Sequence, residues 1–159
     1  MFRDMRRNNQ ALTNEESIAV LKRATSGVLA VSGDNAYPYA VPLSYIYYEG
    51  KLFFHCAYTG HKLDGLKRNQ KVSFCVIDKD QIVPEEYTTY YRSVIVFGKA
   101  SIIEDEKEKR RALEILAAKY SPNHKQGRLK EINELFEQTC MVEIAIEHIS
   151  GKQSIELIK

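Results

Sequence analysis

Leu52-Phe53-Phe54-His55-Cys56-Ala57-Tyr58-Thr59-Gly60-His61-Lys62-Leu63-Asp64-Gly65-Leu66-Lys67-Arg68-Asn69 runs from an apolar stretch through a Thr-Gly turn into a short helical pattern that opens on two cationic residues. The apolar and aromatic stretch predicts a strand, and Gly60 predicts the turn that ends it. The first turn of a helix already presents unpaired N–H groups and the positive end of the helix dipole, so His61 and Lys62 are unfavourable there unless an anion compensates them. The pattern therefore predicts a phosphate site at a strand–turn–helix junction.

Outward from this stretch the chain reads mostly as strands. Val28 to Val31, the turn Gly33-Asp34-Asn35, Tyr39 to Tyr48, the turn Glu49-Gly50 and Lys51 to Ala57 predict a three-stranded meander. Val72 to Ile77 predicts a fourth strand and Ser93 to Ile103 a long fifth, bent at Gly98. Cys140 to Ile149 predicts a sixth, with Val142, Ile144 and Ile146 on one face. Helices are few. Thr13 and Glu16 form a capping box for a short helix to about Arg23. Glu104-Asp105-Glu106 opens a second helix, with its apolar face on Ala112, Leu113, Ile115, Leu116 and Ala117, that stops at Ser121-Pro122-Asn123. Leu129, Ile132, Leu135 and Phe136 mark another. Six mostly antiparallel strands joined by tight turns predict a small barrel with peripheral helices rather than a doubly wound sheet.

At 159 residues, 44% hydrophobic and 28% charged, the chain suits a single domain. Residues 1 to 12 form a polar arm, expected to be flexible, and 13 to 159 the domain. A net charge of +2 with interspersed signs argues against nucleic acid as a partner. No apolar run reaches the roughly 18 residues of a membrane span. Met1 to Arg7 lacks the apolar core of a secretion signal, which gives a cytoplasmic expectation. Cys56, Cys75 and Cys140 sit singly in apolar runs and are expected to be reduced. No zinc-type spacing exists, and His55 and Cys56, as strand neighbours, point to opposite faces, so no metal is expected. The charged run Glu104 to Arg111 reads as a solvated helix face.

The order of Gly27-Val28-Leu29-Ala30, Tyr37-Pro38-Tyr39-Ala40-Val41-Pro42-Leu43-Ser44-Tyr45, Phe54-His55-Cys56-Ala57 with Gly60-His61-Lys62-Leu63-Asp64, and Ser93-Val94-Ile95-Val96-Phe97-Gly98-Lys99-Ala100 resembles the split-barrel flavin-binding family related to pyridoxamine 5′-phosphate oxidase. Within it the chain resembles the nitroimidazole-resistance (NimA-like) branch, over roughly Thr13 to Lys152. The resemblance implies a six-stranded antiparallel split β-barrel and a homodimer holding FMN at its interface. By position it implies that the main chain at Val41, Pro42, Leu43 and Ser44 follows the edge of the flavin ring. It places His55 and Cys56 on the ribityl and phosphate side, Gly60, His61 and Lys62 at the phosphate, and Ser93 as a polar contact supplied by the second subunit. His61 stands where the oxidase has an Arg, which leaves Lys62 the stronger anchor. The oxidase's substrate-phosphate residues have no counterpart in Ile149-Ser150-Gly151-Lys152-Gln153. The implied activity is therefore FMN-dependent oxidoreduction, of nitroaromatic compounds such as 5-nitroimidazoles, with NAD(P)H or another reductant. A non-enzymatic flavin carrier or sensor, and a barrel holding haem or a deazaflavin, are the alternatives.

Overall fold

A computed structural model describes residues 1–158. The expected capping box forms: the Thr13 hydroxyl accepts from the Glu16 N–H at 3.1 Å and the Glu16 carboxylate accepts from the Thr13 N–H at 2.7 Å. This starts α1 (Asn14–Arg23), whose Val20 and Leu21 are fully buried. The strands are β1 (Gly27–Ser32), β2 (Pro38–Leu43), β3 (Ile46–Tyr48), β4 (Lys51–Cys56), β5 (Lys71–Val83), β6 (Thr88–Ile102) and β7 (Cys140–Gln153). Between them lie α2 (His61–Arg68), α3 (Glu106–Tyr120) and α4 (Lys125–Leu135).

All pairings are antiparallel, in the order β2-β1-β5-β6-β7-β4-β3. The expected six-stranded barrel is thus corrected to an open seven-stranded sheet, because the run Tyr39 to Tyr48 is not one strand. It breaks at Ser44 and Tyr45, and its halves become the two opposite edges of the sheet. Only two residues separate Leu43 from Ile46, a reach of at most about 11 Å. The sheet must therefore curl until its edges nearly meet, although no pairing joins β2 to β3.

Tyr45 makes this crossing stable. Its side chain is fully buried and its hydroxyl donates to the Leu21 carbonyl at 2.7 Å. The Tyr120 hydroxyl accepts from the Tyr45 N–H at 2.9 Å and lies 2.6 Å from the carbonyls of Tyr45 and Thr25. Inside the curl, Leu29, Leu52, Phe54, Phe74, Val76, Val94, Val96 and Val142 form the main core, which α1 closes by packing against β3, β5, β6 and β7. A second cluster, Leu113, Leu116, Ile132, Phe136 and Met141, lies between the α3–α4 pair and the outer side of β3 and β4.

Two irregularities position side chains. The register slips at Phe97 and Gly98, where the bend was expected, and a Cβ on Gly98 would stand 2.4 Å from the Ala145 carbonyl oxygen. A second slip leaves Asp78 unpaired between Ile77 and Lys79, and its carboxylate receives Arg23 at 2.6 Å and Arg92 at 3.0 Å. Residues 1–12 run beside the sheet: the Phe2 ring stacks on His148 at 4.8 Å, and the Leu12 N–H donates to the Gly151 carbonyl at 2.9 Å. Among the described residues no helix is long and apolar enough to cross a membrane.

Candidate functional site

α2 follows β4 through the turn at Gly60 and packs against β1, β2 and β6. Gly60, its N-cap, has φ 148° and ψ 166°, a conformation that L side chains rarely adopt. A Cβ there would meet nothing within 4 Å, so the space in front of the turn is open. No side chain caps the helix, and the N–H groups of His61, Lys62 and Leu63 lack intrahelical acceptors. Gly60, His61 and Lys62 thus lie together at an uncapped helix start.

Packing rather than capping holds α2 in place. Leu63 and Leu66 are buried, and the Gly65 backbone rests on β1 so closely that a Cβ would lie 2.6 Å from Val31 Cγ2 and 2.7 Å from the Ser32 oxygen. At the other end the Arg68 guanidinium donates to the carbonyls of Ser32 and Gly33 at 3.2 and 2.6 Å and to Asp34 at 3.0 Å. At the helix start the His61 ring stacks on Tyr39 of β2 with centroids 3.9 Å apart, and its Nε2 lies 3.9 Å from an Asp34 carboxylate oxygen. Partial burial of the ring and the Lys62 ammonium hold the His55 imidazole below its ordinary pKa. His55 is therefore neutral near pH 7. Lys62 is half-buried and has no ion-pair partner among the described residues.

The remaining sequence-predicted residues divide. On β2, Val41 and Leu43 turn their side chains toward the core, whereas Pro42, and Ser44 just beyond the strand, are exposed. β2 is an edge strand, so its outer row of main-chain groups is free for a ligand. Ser44 and His55 come together on the wall of a cavity of about 460 Å³ between the sheet and the α3–α4 pair. Cys56 points inward, directly across from Cys140, and burial pushes its thiol up to about 12, so it is not a thiolate. Ser93 lies elsewhere in the chain. It pairs with Ile77 and Lys152 on the outer face of the sheet, six residues of β5 beyond Lys71. That is about 20 Å along the strand from the end that α2 feeds.

Sequence reasoning missed three supports of the site. Tyr39 and Asp34, which flank His61, belong to an ordinary strand and turn and carry no local signal. Lys109 lies in the run read as solvated, yet it is only 5% exposed. Its ammonium donates to the Phe136 carbonyl at 2.5 Å and to the Tyr58 hydroxyl at 3.0 Å, and sits 4.2 Å from the Phe136 ring centroid. Through Tyr58 it ties α3 to the loop that leads into α2. The described residues contain no cluster of three or more His, Cys, Asp or Glu side chains suited to a metal ion.

The pyridoxamine 5′-phosphate oxidase family pattern matches residues 13–153, nearly the whole chain. The chain belongs to this family. Its fold is shared by a Bacteroides thetaiotaomicron protein assigned to 5-nitroimidazole antibiotic resistance, with 21% identity, a TM-score of 0.76, and 90% of this chain and 86% of that one covered. A FAD-binding protein from Mesorhizobium loti is 25% identical, with a TM-score of 0.68 and coverage of 91% and 96%. The flavocytochrome Anf3 of Azotobacter vinelandii is 21% identical, with a TM-score of 0.79 over 95% of this chain and 72% of its own. No sequence among curated proteins matches the chain. Family membership fixes the architecture around the α2 turn and leaves the reaction to be argued from the residues.

Proposed function

We propose that the protein is an FMN-binding flavoprotein, working as a homodimer, that acts as an oxidoreductase on nitroaromatic compounds such as 5-nitroimidazoles. The observation that supports this reading is the open, uncapped start of α2, with three free N–H groups and, in the same first turn, Lys62, which has no ion-pair partner among the described residues. That donor set fits a phosphate monoester: the amides bind its oxygens and the ammonium balances its charge. The free edge of β2 from Val41 to Ser44 then supplies main-chain donors and acceptors along a flavin ring, with Pro42 contributing only a carbonyl. His55, kept neutral, offers a polar contact without adding a charge.

FMN, when bound, supplies transfer of a hydride or an electron pair between a donor such as NAD(P)H and an acceptor. The chain's own residues fix the phosphate, orient the ring and, through the apolar walls behind Ser44 and His55, limit water at its edge. The dimer is supported by the outer face of β5 and β6, where Ile77, Ile95 and Phe97 stand 65%, 39% and 38% exposed around Ser93. A second copy over this face would bury them and deliver Ser93 to the neighbouring site. The likeness to the Bacteroides protein supports the nitroimidazole substrate. FAD is the second reading, favoured by the 25% identical FAD-binding protein.

Purified protein that is yellow with flavin absorbance, and that releases FMN on denaturation, supports the first reading; released FAD supports the second, and a Soret band indicates haem. Anaerobic reduction with NADH or NADPH followed by a nitroimidazole tests the activity. A reduced flavin that the drug fails to reoxidise marks a carrier instead.

A further inference from the structure

We propose that the cavity between α3, α4 and the outer side of β4 is the substrate pocket of the flavin site, and that it admits neutral or cationic, largely apolar small molecules while excluding anions. The inference rests on the flavin reading above and adds a substrate class to it. At about 460 Å³ the cavity is within the range of small-molecule sites. Leu113, Leu116 and Ala117 of α3 and Ile132 and Leu135 of α4 make its body apolar. It meets the flavin-site residues only at Ser44 and His55; neither the α2 turn nor Val41 to Leu43 lines it. The ring would share that wall, and the body of the cavity is left for a second molecule.

Charge sets the selectivity. Among the described residues Glu131 is the only carboxylate in the wall, and no Lys or Arg side chain is part of it. His55 is neutral near pH 7 because burial and Lys62 disfavour its proton. Of the hydroxyls in the wall, that of Tyr120 is committed to the carbonyls of Thr25 and Tyr45 and that of Thr139 to the Leu135 carbonyl at 2.9 Å, which leaves Ser44 and Ser121 as neutral polar contacts. His124 and Arg128 line an adjoining hollow of about 220 Å³ that shares Ala117, Ser121, Glu131 and Ile132 with the cavity, and Arg128 donates to the carbonyls of Ser121 and Pro122 at 2.7 and 3.0 Å rather than joining the cavity wall. An anion entering the main cavity loses its water, gains no cation and meets Glu131.

The test is calorimetric titration of the FMN-loaded protein with three probes that share one aromatic body: naphthylmethylamine, naphthalenemethanol and naphthoate. The amine and the alcohol should bind, and naphthoate should bind at least about tenfold more weakly. Glu131→Gln should remove the advantage of the amine over the alcohol and leave the alcohol unchanged. Ala117→Phe should fill the cavity and abolish binding of all three while FMN uptake persists. If that variant does not melt cooperatively, Leu135→Trp at the end of α4 takes its place. Equal or tighter binding of naphthoate overturns the proposal, as does binding that survives both fillings or displaces FMN. Probe binding by a protein that never takes up FMN overturns the flavin reading, and with it the substrate role of the cavity, while cavity and charge selection stand as an independent result.

Discussion

Lys62→Ala tests the phosphate turn most directly. Lys62 is half-buried, has no ion-pair partner among the described residues and belongs to the same first helical turn as the three free amides, so a phosphate bound there would gain one charge-assisted bond from it. Such a bond contributes about 1.5–3 kcal/mol, which converts to a loss of roughly 10- to 150-fold in FMN affinity. The helix amides remain in the variant, so binding should weaken rather than vanish. The assay is quenching of flavin fluorescence on titration with FMN and, in parallel, with riboflavin, which has no phosphate. Riboflavin affinity should be unchanged. Because the Lys62 charge helps to depress the His55 pKa, the His55 resonances of the flavin-free variant should titrate at higher pH than in the wild type. Equal losses for FMN and riboflavin, or no loss for either, would refute the placement of phosphate at Lys62.

Gly65→Ala should destabilise the fold by about 1–3 kcal/mol in urea unfolding and weaken FMN binding, because the new Cβ meets the backbone oxygen of Ser32 and α2 must lift off β1. Gly127→Ala, within α4 and facing open space, should instead stabilise by about 0.5–1 kcal/mol. Asp78→Asn should cost about 1–2 kcal/mol at pH 7, a value kept low because Arg23 remains half exposed. The hydrogen bond from Arg23, followed by that from Arg92, holds the Asp78 carboxyl below its ordinary pKa of 3.8. Its contribution is therefore complete above that value and lost as pH falls through the lower folded pKa, so wild type and variant should converge in acid-unfolding curves.

Local signals in the sequence specified the elements well. Thr13 and Glu16 define the start of α1, Gly60 the start of α2, and Ser121-Pro122 the stop of α3, since each acts through hydrogen bonds or backbone geometry a few residues away. The non-local part was hidden. Nothing at Ser44-Tyr45 resembles a turn, and the break there depends on Tyr45 reaching Leu21 and on Tyr120 arriving from α3. The fourth strand, expected over Val72 to Ile77, runs on to Val83, because Lys79 to Val83 pairs with Thr88 to Arg92. Of the candidate site, the strand–turn–helix junction at Gly60 was legible, because a glycine between an apolar strand and a helical pattern marks it. Lys109 was not, because a lysine among Glu and Arg residues gives no local sign that Phe136 and Tyr58 will enclose it.

The place of β7 in the strand order has a consequence for how the protein comes into being. This last-made strand lies between β6 and β4, so the β3–β4 hairpin has no partner in the sheet until residues 140–153 have left the ribosome. A nascent chain stopped before Cys140 would expose two raw strand margins at once, the sort of surface that chaperones shield.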